Sequence, residues 1–501
     1  MNLPLILSGI VVIFILVILL RAAVIKAPAG NLPREKWPAY AEHPEIDRLG
    51  AAERLASLVR CRTIGAQNES GAPDDDVKGY EEFIRLRSLL AEYYPLTHRI
   101  LELDLVNEHT MLFHWPGKSD EEPLVLMSHY DVVPVVEKQW SHPPFDGVIA
   151  ENAVWGRGAL DNKATLLAIF EAVEGLLQEN FKPERDIYLA FGHDEETMGS
   201  GVKDIVSLLE ERGVRPGLVL DEGGAIMSGM FPGVERPIAF VGMSEKGYAE
   251  FEFSVGGSGG HASAPGKVNP FGVLASIITA VDRKPFKAHL PEEVGEMFKI
   301  LGPHMPFTLR IIFVNLWCFK PLIPLLLPAI GREMNALCRT TSVFTMAEGS
   351  SAPNVIPDRA SAVTNVRMAK RDSLESVRGH FTSLVKKAAA SALKGEDSYR
   401  VEVSMIYGHE ASPSSRRETT AFKKLEKAIE ESYPEAVTSP FIMLGGSDAR
   451  HFCRISEHVY RFLPFEMSKD ELRTIHGVDE RIGIDRLAAA IFFYRTLVAA
   501  S

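Results

Sequence analysis

Leu124-Val125-Leu126-Met127-Ser128-His129-Tyr130-Asp131 is a short apolar run that ends on an imidazole and a carboxylate. Its unbroken apolar residues, with no alternation, suit a strand buried on both faces. Downstream, Leu166, Ile169, Phe170, Val173, Leu176 and Leu177 recur at helical spacing, and Ile187 to Phe191 reads as a second strand. A helix around Val202 to Leu209, stopped by Gly213, leads to a third strand at Leu218 to Leu220. Upstream, Leu55, Leu58 and Val59 mark another helix. The alternation predicts an α/β fold with a mostly parallel sheet covered by helices. Ligands of such sheets gather beyond the carboxyl ends of the strands. His129, Asp131, Glu195, Glu196 and Asp221 all fall just past predicted ends, which is the reason to treat them as one site.

The chemistry of these residue types is that of a cation site. Asp131, two residues after His129, can orient its ring and raise its basicity. Asp161 follows the turn Trp155-Gly156-Arg157-Gly158 and could bridge two cations or cap the helix that begins near Asn162. Glu195 and Glu196 repel each other at a strand end unless a cation or a proton intervenes. One of them can bind metal while the other moves protons as a general base. Asp221 adds a carboxylate, and His476, in Ile475-His476-Gly477-Val478-Asp479-Glu480, adds an imidazole. Mixed imidazole and carboxylate ligands suit zinc better than magnesium or calcium.

Beyond Gly242 the pattern changes. Ala249 to Val255 reads as a half-exposed strand, followed by a glycine-rich segment, a helix from about Asn269 to Val281, strands at Thr341 to Met346 and Ala360 to Met368, a helix from about Ser373 to Ala390 and a strand at Arg400 to Ile406. This set predicts a smaller α+β lid or dimerisation domain, residues 247–408, inserted between two parts of the catalytic domain, 46–246 and 409–501. The last helix, near Asp485 to Val498, is expected to be capped by Asp485. Inside the insert, Ile311 to Ile330 is strongly apolar but interrupted by Lys320, Pro321, Pro324 and Pro328, so a buried hairpin or a greasy surface is expected rather than a second span.

With 501 residues, 46% hydrophobic and 24% charged, the chain is globular and long enough for two domains. Its net charge of -12 repels phosphate backbones and argues against nucleic acid as a partner. The four cysteines form no Cys-x-x-Cys unit and suggest neither a zinc ribbon nor a disulfide framework. Leu3 to Leu20 carries no charge and approaches the length of a membrane span. Residues 1–26 are therefore expected to be a transmembrane anchor, with a cleaved signal as the alternative through Ala27-Pro28-Ala29, and 27–45 a linker. The catalytic domain is expected on the extracytoplasmic side, although Arg21, Lys26, Arg34 and Lys36 after the span favour the cytoplasm.

The segments Ser128-His129-Tyr130-Asp131-Val132-Val133-Pro134, Gly156-Arg157-Gly158-Ala159-Leu160-Asp161-Asn162-Lys163, Gly192-His193-Asp194-Glu195-Glu196, Gly259-Gly260-His261-Ala262-Ser263-Ala264-Pro265 and Asn354-Val355-Ile356-Pro357 resemble the di-zinc metallopeptidase family of aminoacylase, glutamate carboxypeptidase and carboxypeptidase S. Leu316-Trp317, Gly445-Gly446-Ser447-Asp448-Ala449-Arg450 and the long insert resemble its branch of carboxypeptidase S and N-fatty-acyl amino acid synthase/hydrolase. The resemblance implies two zinc ions per subunit held by His129, Asp161, Glu196, Asp221 and His476, with Asp161 bridging. It implies Glu195 as general acid/base, Asp131 as the partner of His129, and His261 as oxyanion stabiliser, in this family sometimes from the neighbouring subunit. Asn354 and Arg367 match positions that hold a substrate carboxylate, beside the backbone at Gly445 and Gly446. Asp479 stands where the family suggests Asn. The implied activity is cleavage of a peptide or N-acyl amino acid, with an N-fatty-acyl amino acid hydrolase or synthase at the membrane surface as the alternative. A homodimer is implied. A binding or scaffold protein that kept the fold and lost catalysis is the reading from another class.

Overall fold

The computed structural model describes residues 3–27, 46–65, 80–393, 395–396 and 398–501. The expected linker falls almost wholly outside these residues. The strands Leu124–His129 and Ile187–Gly192 are buried at every position, as strands covered on both faces must be. They pair in parallel, with Leu124 opposite Ile187 and His129 opposite Gly192. Leu218–Met227 pairs in parallel with the first of them only through Leu220, and Val459–Met467 then joins its other side, also in parallel.

The whole sheet is mixed, which corrects the mostly parallel arrangement expected. One edge is the antiparallel hairpin Glu102–Val106 and Thr110–Trp115. At the other edge Ile238–Glu245 runs antiparallel to Val459–Met467 and parallel to Val437–Met443. The hairpin turns at Asn107 and Glu108, both with positive φ, a conformation that asparagine tolerates but glutamate does not advertise. The helices Arg48–Val59, Lys163–Gln178 and Ile484–Ala499 pack together on this sheet and supply much of its core. Asp485 does not cap the last helix: Gly483 is the N-cap, and Asp485 accepts from the Arg48 guanidinium and, at 3.0 Å, from the Asn152 amide. It ties two elements together instead of one helix end.

A second sheet has its own core. Gly247–Gly256 lies between Arg359–Met368 and Arg400–His409, with Thr341–Glu348 outermost beside Arg359–Met368, all antiparallel. The helices Pro270–Asp282 and Leu374–Leu393 bury Val273, Ile277, Val377 and Phe381 against it. Residues 292–338, between the first of these helices and the strand Thr341–Glu348, belong elsewhere: Val294, Met297, Phe298, Leu301, Phe313, Leu316, Ile323, Leu327 and Leu337 enter the core of the large sheet. The apolar stretch after Met305 forms neither a hairpin nor a span, but the short helices Phe307–Phe313, Leu316–Phe319 and Ile323–Ile330. Pro321 separates the second of these from the third, because a proline removes an amide donor from a would-be longer helix, whereas Pro328 is accommodated inside the third.

Candidate metal centre and active site

His129 closes its strand and is 2% exposed. Its Nδ1 lies 3.3 Å from Asp131 Oδ1 and its Nε2 lies 3.1 Å from Asp161 Oδ1. The other Asp161 oxygen, Oδ2, is 3.2 Å from His476 Nε2, and His476 Nε2 is 3.0 Å from Glu196 Oε2. Asp161 thus stands between two imidazoles, one oxygen toward each. Two sets of potential donors converge here, His129 with Asp161 and Glu196, and His129 with Glu195 and Glu222.

Asp131 does more than orient His129. Its Oδ1 accepts the backbone N–H of Glu195 at 3.2 Å and its Oδ2 that of Glu196 at 2.9 Å. A fully buried carboxylate therefore fixes the backbone of both glutamates and the imidazole ring at once.

The turn that presents Asp161 is held by Glu480. Its Oε1 accepts the N–H groups of Leu160 at 2.8 Å and Asp161 at 2.9 Å, and its Oε2 that of Gly158 at 3.1 Å. Arg157 pairs with Glu480 and donates to Gly477 O at 2.9 Å, next to His476. Asp479 accepts from Ser141 N and Oγ at 2.7 and 2.8 Å, so the residue that departs from the family pattern pins the same loop. His476 has φ 58, a left-handed conformation that costs a residue with a side chain about 1–2 kcal/mol and needs such restraints. Glu480 belongs to the motif around His476, but residue type and spacing do not reveal its role, since only the fold brings it under residues 158–161. Asp161 is not the N-cap of the following helix; that position belongs to Asn162, whose amide donates to Glu222 Oε2 at 2.6 Å.

Asp221 sits inside its strand, not past the end. Its carboxylate accepts from Glu222 N at 2.8 Å and Ala449 N at 2.9 Å, and it enters neither donor set. Glu222 does enter, with Oε2 3.5 Å from His129 Nε2. Gly223 (φ 145) kinks the chain where a Cβ would lie 2.6 Å from the Arg461 Cβ, and the pairing with Val459–Met467 shifts register there. No sequence signal distinguished the two acids of Asp221-Glu222.

The electrostatics are those of a site short of positive charge. Burial raises Glu195 well above the usual carboxylate range, helped by Glu222, Asp448 and Glu196, and burial pushes Glu222 up to about 8. Burial alone would lower His129, but Glu222, Asp131 and Asp161 outweigh it and raise the imidazole. Hydrogen bonds to Asp161 and Glu196 raise His476 to about 10. Buried carboxylates that crowd together and hold protons on their histidines fit a site completed by cations. The donor set, imidazoles plus carboxylates around a shared Asp161, fits two divalent ions.

The remaining predicted residues lie in the smaller domain or at its border. His261 is exposed, in the two-residue strand Gly260–His261 that pairs with Val355–Ile356, and its Nδ1 lies 2.7 Å from Ser263 Oγ. Asn354 is exposed beside it, its carbonyl accepting from Ala262 N at 2.9 Å. Arg367 is half-buried over the Tyr248 ring at 4.6 Å. Gly446 is exposed above a buried network in which Glu245 accepts from Ser447 N at 3.1 Å and Arg461 Nε at 2.6 Å. None of these four hydrogen-bonds to His129, Asp161, Glu195, Glu196, Glu222 or His476 within this chain.

Residues 125–500 match the model of peptidase family M20/M25/M40. A probable carboxypeptidase S-like protein of Dictyostelium discoideum is 34% identical over 460 residues, covering 90% of this chain and 85% of that protein. An N-fatty-acyl-amino acid synthase/hydrolase of Mus musculus is 30% identical over 492 residues, covering 95% of this chain and 93% of that one. A crystal structure of an M20 family metallo-carboxypeptidase from Sulfolobus solfataricus superimposes with a TM-score of 0.66 at 19% identity, covering 91% of this chain and 99% of that one. At that identity the likeness is one of fold.

Proposed function

Because the chain belongs to peptidase family M20/M25/M40, and is accordingly a metal-dependent hydrolase, we propose that it cleaves the amide bond of a peptide or N-acyl amino acid next to a free carboxylate, using two zinc ions. The observation that carries this is Asp161, with one oxygen toward His129 and the other toward His476. His129, His476, Glu196 and Glu222 would complete the ligands around it, Glu222 taking the place that sequence reading gave to Asp221. When bound, the ions supply Lewis acidity toward the attacking water and the scissile carbonyl.

The side chains do the rest. Glu195, its backbone clamped by Asp131, accepts the proton of the attacking water and returns it to the departing amine. Its raised affinity for a proton suits a group that must carry one between two steps. Arg367, with Asn354 and the backbone at Gly445 and Gly446, would hold the substrate carboxylate, a task matched to a guanidinium fork. His261 would stabilise the oxyanion across a homodimer interface, which suits a histidine exposed at the edge of a separate domain.

A panel of dipeptides and N-acyl amino acids on zinc-loaded protein tests the reading. Hydrolysis that requires the free carboxylate supports it, and amidated substrates cleaved equally well would overturn it. Glu195→Gln should retain metal and lose about 10²–10⁴ in kcat, the range for a positioned general base. The exposed apolar surface at residues 317–330 favours a second reading, in which the acyl chain is long and the enzyme works at a membrane through its N-terminal helix. Rates that climb with acyl length would select it.

A further inference from the structure

The helix Leu3–Val24 is apolar and exposed almost all round; only Ile18 and Ala22 are buried. That buried side lies on the short helices that follow Met305. At the contact sits Asn315, an amide with no exposure at all. Its Nδ2 donates to Ile18 O at 3.1 Å and to Ile311 O at 2.9 Å. Its Oδ1 accepts from Arg21 Nε at 3.1 Å and from Trp317 Nε1 at 3.2 Å. Both donors and both lone pairs of the amide are used, and half of them are used on the N-terminal helix. The Phe14 ring meets Trp317 edge-on at 5.6 Å, and Ala27 N donates to Pro303 O at 3.0 Å.

The short helices are two-sided. Phe313, Leu316, Ile323 and Leu327 enter the core of the large sheet, while Trp317, Leu322, Leu325, Leu326 and Ile330 face outward, Leu325 at 73% exposure. Phe307–Ile330 carries two charges, Arg310, whose guanidinium lies over the Phe307 ring at 5.8 Å, and Lys320. A continuous apolar surface of this kind marks a contact, and what covers it follows from its neighbour. The helix Leu3–Val24 is long enough, at about 33 Å, to cross the hydrocarbon of a bilayer. Phe14 lies about 15 Å along the axis from the end at Val24. A platform that reaches Phe14 therefore stands beside half of the span and shares its solvent. At the contact with the N-terminal helix the polar groups agree with immersion in one leaflet, while Arg310 Nε, at the start of the element, is buried without a hydrogen-bond partner among the described residues. The Trp317 indole N–H and the Asn315 amide are satisfied internally, as hydrocarbon requires. Pro321, Pro324 and Pro328 bring no amide donors, and Lys320 is long enough to reach the headgroups.

We propose that Phe307–Ile330 is a second membrane-contact element that dips into one leaflet beside the N-terminal helix, and that Asn315 and Arg21 clasp the two into one unit. This rests on the N-terminal helix being a retained anchor, and on no assumption about the substrate. The clasp gives the catalytic domain a fixed attitude on the bilayer, whereas a span followed by a free tether leaves it loose.

The test uses the full-length chain in phosphatidylcholine nanodiscs. Nitroxide labels at Leu325→Cys and Leu326→Cys, exposed positions that fold does not depend on, are compared with one at Ile149→Cys, exposed on the catalytic domain, after subtraction of signal from the native cysteines. Immersion predicts that labels 325 and 326 collide with oxygen and are shielded from a water-soluble nickel chelate, the reverse of 149. Chelate access equal to that at 149 overturns the proposal. Shielding from both reagents also overturns it, since a second protein copy would then be the cover. Independently of any cysteine variant, brominated acyl chains should quench most of the emission that Trp317→Phe removes; no quenching overturns the proposal. Dipeptide hydrolysis on the same samples separates the two readings, because inactivity with immersed labels defeats the proposed function alone.

Discussion

Asp131 shows what a single carboxylate settles. It accepts from the backbone of Glu195 and Glu196 while facing His129, so the proposed metal ligand, the proposed proton carrier and an imidazole share one fixed point. The spacing of His129 and Asp131 made their partnership legible, because two residues along a strand end is a short reach. The contact with the glutamates was not legible, since it joins two strands separated in sequence by a helix. Asp221 and Glu222 mark the same limit. Adjacent residues of a strand face opposite ways, and the kink at Gly223 decides which acid reaches the centre. Glu222→Gln should therefore lower the metal content per subunit. Asp221→Asn should keep the metals and lose about 1–3 kcal/mol of stability, because the amide turns a donor toward the N–H of Glu222 or Ala449. Metal analysis and urea unfolding of both variants check this; the reverse pattern would return Asp221 to the ligand set.

At the scale of elements, the turn carrying Asp161 and the loop carrying His476 are joined by the buried Arg157–Glu480 pair. Removing one partner strands the other charge in the interior, which costs about 3–5 kcal/mol. Glu480→Gln should accordingly lower Tm and weaken metal binding together, whereas a purely local role would leave metal affinity at its wild-type value. The hairpin Glu102–Trp115 carries a different device. His109 is buried, stacks on Tyr80 with ring centroids 4.0 Å apart, and its Nδ1 has no hydrogen-bond partner among the described residues. Burial, with His193 and Arg87 nearby, lowers its pKa to about 4. Between about 6.5 and 4 the unfolded chain takes up a proton that the folded one refuses, so stability falls as pH drops through that window. His109→Phe should flatten the dependence of Tm on pH between those limits; an unchanged slope would contradict it. The strands and helices around the site were readable from apolar runs and 3.6-residue spacing. This hairpin was not, because its turn uses Asn107 and Glu108 in place of glycine or proline.

For the whole molecule, the exposed His261 and the compact Asp161 centre lie in domains with separate cores, and the proposed dimer is what would bring a partner's imidazole to each site. Coexpressed Glu195→Gln and His261→Ala chains, each inactive alone, should then recover activity in about a quarter of the sites, as statistical pairing in a two-fold dimer leaves one intact site per mixed pair. Recovery at the level of the separate variants would place His261 in its own subunit's chemistry or outside it. The inventory of ligand types, the α/β pattern, the apolar N-terminus and the order of motifs are all present in the sequence, since each depends on residue type or on spacing within one element. Four matters depended on tertiary structure: the mixed direction of the sheet, the placing of Glu222 rather than Asp221 beside His129, the Glu480 cradle, and the docking of the N-terminal helix on residues 307–330. Each is fixed by contacts between segments far apart in sequence, where no local periodicity records which side chains will meet.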